Sequence, residues 1–154
     1  MSVSARPLRD FAEADLQGLV DLWAAAWRET GLAIDFDARR PWLDGHLRAL
    51  RAEGAAIIVG LDREGRPAGF VTIYAKTGYL DQLCVAPKER GSGLAVALLD
   101  EAKRRSPGLV ELDVNEANAR GLRFYEREGF VFVTRGSSAL SGLPTIRLRW
   151  RRGE

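Results

Sequence analysis

The chain has 154 residues, 46% of them hydrophobic and 29% charged, with a formal net charge of +2. This is one ordinary domain with apolar content for a core, and it excludes intrinsic disorder as the main state. The 16 Gly and 6 Pro follow no short period, which excludes collagen-like and low-complexity chains, and the single cysteine, Cys84, excludes an internal disulfide.

Met1 to Pro7 contains no apolar h-region, so no signal peptide is expected. Val3 to Leu8 is predicted as a short opening strand. Asp10-x-x-Glu13 has the pattern of a helix start, a capping oxygen with an acid three residues on. Leu16, Leu19, Val20, Trp23 and Trp27 then recur at helical spacing to about Thr30, and Gly31 stops the helix. Leu32 to Asp37 reads as a loop. A second helix is predicted from Arg39 or Pro41 to Ala52, ending at Gly54. Ala55 to Leu61 is a buried strand, Asp62 to Pro67 a hairpin turn and Ala68 to Tyr74 the return strand. After a turn at Gly78 comes a strand from Tyr79 to Val85. A helix follows from Gly93, with Leu94, Ala95, Leu98, Leu99 and Ala102 on one face. Leu109 to Val114 is a strand, Asn118 to Arg127 a helix, and Phe130 to Arg135 and Thr145 to Trp150 the last two strands.

The order β-α-α-β-β-β-α-β-α-β-β predicts a single α/β (α+β) domain, with a mixed, mostly antiparallel sheet and helices on both faces. The strand-helix-strand step from Tyr79 to Val114 supplies one parallel pair through a right-handed crossover. The longest plain apolar run, Ala55 to Val59, is far below the ~20 residues of a membrane helix. With the lone cysteine, this predicts a cytoplasmic protein with no membrane partner. One His and one Cys give no reason to expect a zinc or other metal site, and a Ser-His-Asp hydrolase would rest entirely on His46.

The most informative segment is Arg90-Gly91-Ser92-Gly93-Leu94-Ala95, between a strand and a helix. Its glycines free the backbone to turn N–H groups inward, and the helix adds unpaired N–H groups and a positive dipole end, together a site for a diphosphate. Arg90 and Lys88 add positive charge at the rim. No Gly-Lys-Ser/Thr follows, so it is not a Walker A loop. The third glycine of a dinucleotide fingerprint is absent as well.

At these residues the chain resembles the GNAT superfamily of acyl-CoA-dependent N-acetyltransferases. The family's strand, Arg/Gln-x-x-Gly-x-Gly/Ala turn and helix match Leu83 to Pro87, Arg90 to Ala95 and Leu98-Leu99. A second motif follows in order, Asn118-x-x-Gly121-x-x-Phe124-Tyr125-x-x-x-Gly129-Phe130. The likeness covers roughly Ile57 to Phe130; Gly121 stands where the family usually has alanine. The resemblance implies acetyl-CoA as co-substrate. Its diphosphate would lie on the N–H groups of Gly91 to Ala95, and its arm in a gap where the strand of Leu83 and Val85 splays from the strand of Leu112 and Val114. Asn118 would contact that arm and Tyr125 would sit near its sulfur. Asn118 and Tyr125, seven residues apart, also share a helical stripe roughly 10 Å long.

Acetyl transfer to an amine needs a neutral amine, a stabilised carbonyl oxygen and a departing thiolate. A phenol is protonated at neutral pH, so Tyr125 is the candidate proton donor; packing beside Phe124 is its structural alternative. Asp81, on the face of Leu83 and Val85 by strand alternation, is the candidate base, and its alternative is a surface charge. A backbone N–H near Leu83 would hold the oxyanion. Cys84 reads as core filler and His46 as a solvated helix residue. For the acceptor, Trp27, Asp35, Phe36, Arg39, Tyr79 and Asp81 offer aromatic faces, acids and a guanidinium suited to an amino-acid-like amine. Trp23 and Trp27 lie on the apolar stripe, so a core role competes for both. The charges of Arg147 to Arg152 read as a solvated face, with no aromatic platform or reading helix for nucleic acid.

The expected function is therefore acetyl transfer from acetyl-CoA to the primary amine of a small molecule or amino-acid derivative. The alternatives are acetylation of a protein N-terminus or lysine, and an acyl-CoA-binding module without catalysis. Homodimers are common in this fold, so a second copy is a candidate partner.

Overall fold

A computed structural model describes residues 7–31 and 34–153. Its elements are β1 (Leu8–Asp10), α1 (Leu16–Arg28), α2 (Arg40–Ala52), β2 (Ala56–Leu61), β3 (Pro67–Ile73), β4 (Leu80–Val85), α3 (Leu94–Arg105), β5 (Leu109–Asn115), α4 (Ala119–Arg127), β6 (Val131–Ser137) and β7 (Pro144–Arg151). Val3 to Arg6, where the first strand was expected to begin, lies outside the described residues.

The strands form two antiparallel sheets, a four-stranded one in the order β1-β2-β3-β4 and a three-stranded one in the order β5-β7-β6. Among the described residues the strands of the two sheets are linked by one parallel bridge, Tyr79 with Glu111. Among the described residues no ladder joins β4 to β5 beyond it, so the parallel pair is splayed, as the family resemblance implied.

Alternation along β2 and β3 builds a core on each face of the first sheet. Ile57, Val59 and Phe70 pack with α1 and α2, including Leu19, Trp23, Leu43 and Leu47. Ile58, Val71 and Ile73 pack on the other face with Leu94, Leu98 and Leu99 of α3. Those three leucines are fully buried, each worth about 1.5–3 kcal/mol relative to exposure. They hold the N-terminus of α3 against the end of β4.

The start of α1 differs from the expectation. Asp10 is the last residue of β1, paired with Ile58, and its carboxylate accepts from Arg105 Nη2 at 3.0 Å. Asp15 takes the capping role, accepting the Ala12 N–H at 2.8 Å and the Arg9 guanidinium at 2.6 and 2.8 Å. The hydrogen bond from Arg9 holds the buried Asp15 carboxyl below the usual carboxylate range. The cap pattern at Asp10 was locally sound, but pairing with β2 carries the chain on as strand.

A second difference lies in β4. Thr72 pairs with Gln82 but Ile73 pairs with Leu80, leaving Asp81 as the extra residue of a β-bulge. Strict alternation would put Asp81 with Leu83, which packs towards the α3 side. The bulge turns it to the opposite face, towards α2.

Candidate active site

The turn before α3 has the backbone its glycines predict. Gly91 and Gly93 have φ of 76° and 90°, a left-handed region costly for residues with a Cβ. A Cβ built on either would meet nothing within 4 Å, so both face open space at the helix N-terminus. Two of the expected donors are spent within the turn. The Ser92 N–H donates to Glu89 O at 3.0 Å, and that of Leu94 to Ser92 Oγ at 3.2 Å. The rim cations are paired as well, Arg90 with Glu29 at the end of α1 and Lys88 with Asp62 at 3.4 Å.

From this turn the split between β4 and β5 runs back to the Tyr79–Glu111 bridge. Leu83 and Val85 are half-buried on its α3 side. Asn118 caps α4, its Oδ1 accepting the Gly121 N–H at 3.0 Å, which leaves its Nδ2 donors for a ligand. A Cβ on Gly121 would come within 2.6 Å of that Nδ2. The replacement of alanine there is thus more than one small residue for another, because it leaves room for the Asn118 amide. Tyr125, on the buried side of α4, is 9% exposed and edge-on to Phe124 and Phe130 at 5.1 and 5.3 Å. Burial, and then the Cys84 thiol of β4, push its phenol above the usual value. Burial raises Cys84 itself to about 12, which leaves it an inert thiol. Gly91 and Gly93, the unpaired β4 edge and the Asn118 amide fit a diphosphate with an extended thiol-bearing arm.

The closed end of the split carries polar chemistry. Tyr79 donates its hydroxyl to Asp113 Oδ2 at 3.0 Å, and Arg147 binds the same carboxylate through two nitrogens at 3.0 and 2.9 Å. Arg149 pairs with Glu111. Arg147 and Arg149, expected to be solvated, thus form cross-strand pairs with β5, because β7 lies between β5 and β6, whereas Arg151 and Arg152 are exposed as expected.

Asp81 meets a residue expected to be solvated. His46 of α2 places Nε2 2.5 Å from Asp81 Oδ2, and its ring stacks on Trp42, centroids 4.5 Å apart and planes 15° apart. The hydrogen bond to Asp81 is the main cause holding the imidazole above its usual pKa. Trp42 and His46, four residues apart on one helix, could have been read as neighbours. The partner on β4 could not, since the bulge alone aims Asp81 at α2. Nearby, Tyr74 donates to Glu53 at 2.5 Å, a pair the sequence did not suggest.

The other expected acceptor residues are divided. Phe36 is core, 6% exposed, edge-on to Trp23 and stacked on Trp27 at 5.7 Å. Asp35 caps the turn before α2 through the Ala38 N–H at 3.1 Å. Arg39 is the half-buried residue preceding α2. The aromatic residues expected to wall a pocket are thus largely absorbed in packing α1 against α2.

The sequence profile of the acetyltransferase (GNAT) family matches residues 16–130, from the start of α1 to the end of the second motif. The chain belongs to the acetyltransferase (GNAT) family. This GNAT protein is therefore an acyltransferase with acetyl-CoA as its acetyl donor. It is 28% identical over 127 residues to the peptidyl-lysine N-acetyltransferase YjaB of Salmonella typhimurium, covering 78% of this chain and 82% of the relative. It is 32% identical over 89 residues to the peptidyl-lysine N-acetyltransferase YiaC of Escherichia coli, covering 58% and 60%. Among solved structures, it superposes on a GCN5-related N-acetyltransferase from Rhodopseudomonas palustris with a TM-score of 0.79 at 20% identity, covering 98% of each chain. The phosphinothricin acetyltransferase of Sinorhizobium meliloti in complex with AcCoA has a TM-score of 0.74 at 18% identity, over 97% and 90% of the two chains. Among the described residues no helix is long and apolar enough to cross a membrane.

Proposed function

We propose that this GNAT protein acetylates a lysine side-chain amine presented by a peptide, with Tyr125 as donor to the leaving thiolate and Asp81 as the carboxylate that receives the acceptor ammonium. The observation that carries this reading is the convergence at the split: a buried phenol on α4 beside β4, and the Asp81 carboxylate at the closed end, whose arginine-paired neighbours Glu111 and Asp113 leave it to meet the amine. Such an end favours a cationic amine. The names of the relatives support a peptide acceptor. So does the use of Trp23, Trp27 and Phe36 in packing, since aromatic faces spent on the core do not enclose a small free amine. A small primary amine is the second reading, and the same carboxylate would serve it.

Burial keeps Tyr125 protonated across the working pH range. Full proton transfer from a phenol near 10 to a thiolate near 8.5 is uphill by about 2 kcal/mol, more when burial raises the phenol further. Tyr125 therefore acts first as a hydrogen-bond donor to sulfur as charge develops, with proton transfer following. A thiol-release assay with acetyl-CoA against lysine peptides and a panel of free amines tests the reading. Peptide lysines are expected to be the better acceptors, and Tyr125→Phe to lower turnover about 10²-fold with acetyl-CoA affinity nearly intact. Release with free amines only would select the second reading, and unchanged turnover in Tyr125→Phe would remove the phenol from the reaction.

A further inference from the structure

We propose that His46 is the general base of the transfer, with Asp81 holding its imidazole at the closed end of the split. This rests on the acetyl-transfer reading above and assigns the destination of the acceptor's proton.

The pair is built rather than incidental. One member comes from α2, the other from the bulged residue of β4, and they touch at 2.5 Å. The side chains keep 25% and 19% exposure, enough for a substrate or a water to reach them. Trp42 fixes the ring plane by stacking, and Gln82 Nε2 adds a longer contact to the same Asp81 oxygen at 3.4 Å. Asp81 lies two residues beyond the Tyr79 bridge, where the split closes. A carboxylate against Nε2 requires the proton on that nitrogen, so the free lone pair of the neutral ring is at Nδ1.

Magnitudes favour the imidazole as acceptor. Moving a proton from an ammonium near pKa 10.4 to a carboxylate near 3.9 is unfavourable by about 3 × 10⁶-fold, but to an imidazole near 6.5 by about 10⁴-fold. The charged groups acting on the ring are acidic, Asp81 from β4 and Glu53 from the end of α2, and they raise its basicity further. Tyr74, just beyond β3, faces the same region with its hydroxyl on Glu53. In the step, an N–H bond of the ammonium breaks and an N–H bond forms at Nδ1 through an intervening water, because Nδ1 points away from the carboxylate that holds the ammonium. The freed electron pair forms the C–N bond at the thioester carbonyl and the C–S bond breaks; the thiolate takes the Tyr125 hydroxyl proton, the second proton of the attacking nitrogen restores the phenol, and the imidazolium returns the first to water. The other Asp81 oxygen remains available to the ammonium.

His46→Gln keeps a donor for Asp81 and removes the titration. It is expected to lower turnover about 10²-fold or more and to abolish the near-neutral acidic limb of kcat/KM, with acetyl-CoA affinity preserved. Asp81→Asn should move that limb to lower pH. His46 is the chain's one histidine, so its ring NMR signal can be titrated alone, without an acceptor. Its midpoint is expected above 6.5 and should fall in Asp81→Asn. An unchanged limb in His46→Gln, or a ring midpoint identical in wild type and Asp81→Asn, would overturn the proposal. A wild-type protein that releases no thiol with any amine would instead strike the acetyl-transfer reading, and the ring titration would still decide whether Asp81 governs His46.

Discussion

His46 and Asp81 stand 35 residues apart in the chain, and neither is unusual in its own segment. Their contact gives His46 a pH-dependent role in stability. The imidazole titrates higher in the folded protein than in the unfolded chain. Its contribution is therefore complete below about pH 6.5 and is lost as the pH rises through the folded value. The melting temperature of His46→Gln should fall below wild type at pH 5.5, and the gap should close by pH 9; an equal gap at both would assign the loss to packing on Trp42. Tyr125 was legible by type and spacing within its motif, but its burial, which keeps it protonated, is a property of the assembled core.

Among the elements, α3 was the most legible. Of its expected apolar face, Leu94, Leu98, Leu99 and Ala102 are buried and Ala95 is half-buried, and the glycines before it take the left-handed turn. Gly93→Val would place a β-branched residue at a φ of 90°, costing about 1–2 kcal/mol of strain or more. It would also put a side chain in the space open to a diphosphate. Acetyl-CoA affinity, measured by calorimetry, should fall at least about tenfold, as the loss of about 1.4 kcal/mol of binding requires. The elements misread were those whose limits depend on partners. Asp10 joined β1 because β2 offered it a ladder, and β4 lost its alternation at Asp81 because Ile73 pairs with Leu80. A period-two pattern cannot reveal an extra residue in one strand of a pair.

At the scale of the whole molecule the two sheets share a hydrophobic core, but among the described residues their strands are joined by one β-bridge, and Gly78 is the residue that permits it. Its φ is 79°, and a Cβ there would lie 2.0 Å from the Leu109 carbonyl oxygen. That close approach lets Gly78 O accept the Glu111 N–H at 2.9 Å beside the Tyr79 bridge. Gly78→Ala must push β5 away from the turn before β4. We expect a stability loss of about 2 kcal/mol or more in urea unfolding, with a raised KM for acetyl-CoA as the split opens from its closed end.

By itself the sequence determined what depends on short-range order: helix stripes, strand runs, the glycine turn before α3, and the motif that sets Asn118 at the cap of the helix carrying Tyr125. Side-chain periodicity and backbone preference act within a few residues, so the chain states them locally. Tertiary structure alone decided that the aromatic residues of α1 and α2 serve mainly the core, and that a bulge turns Asp81 to His46. Each of these is settled by contacts between distant segments, where strand register and packing volume outweigh local pattern.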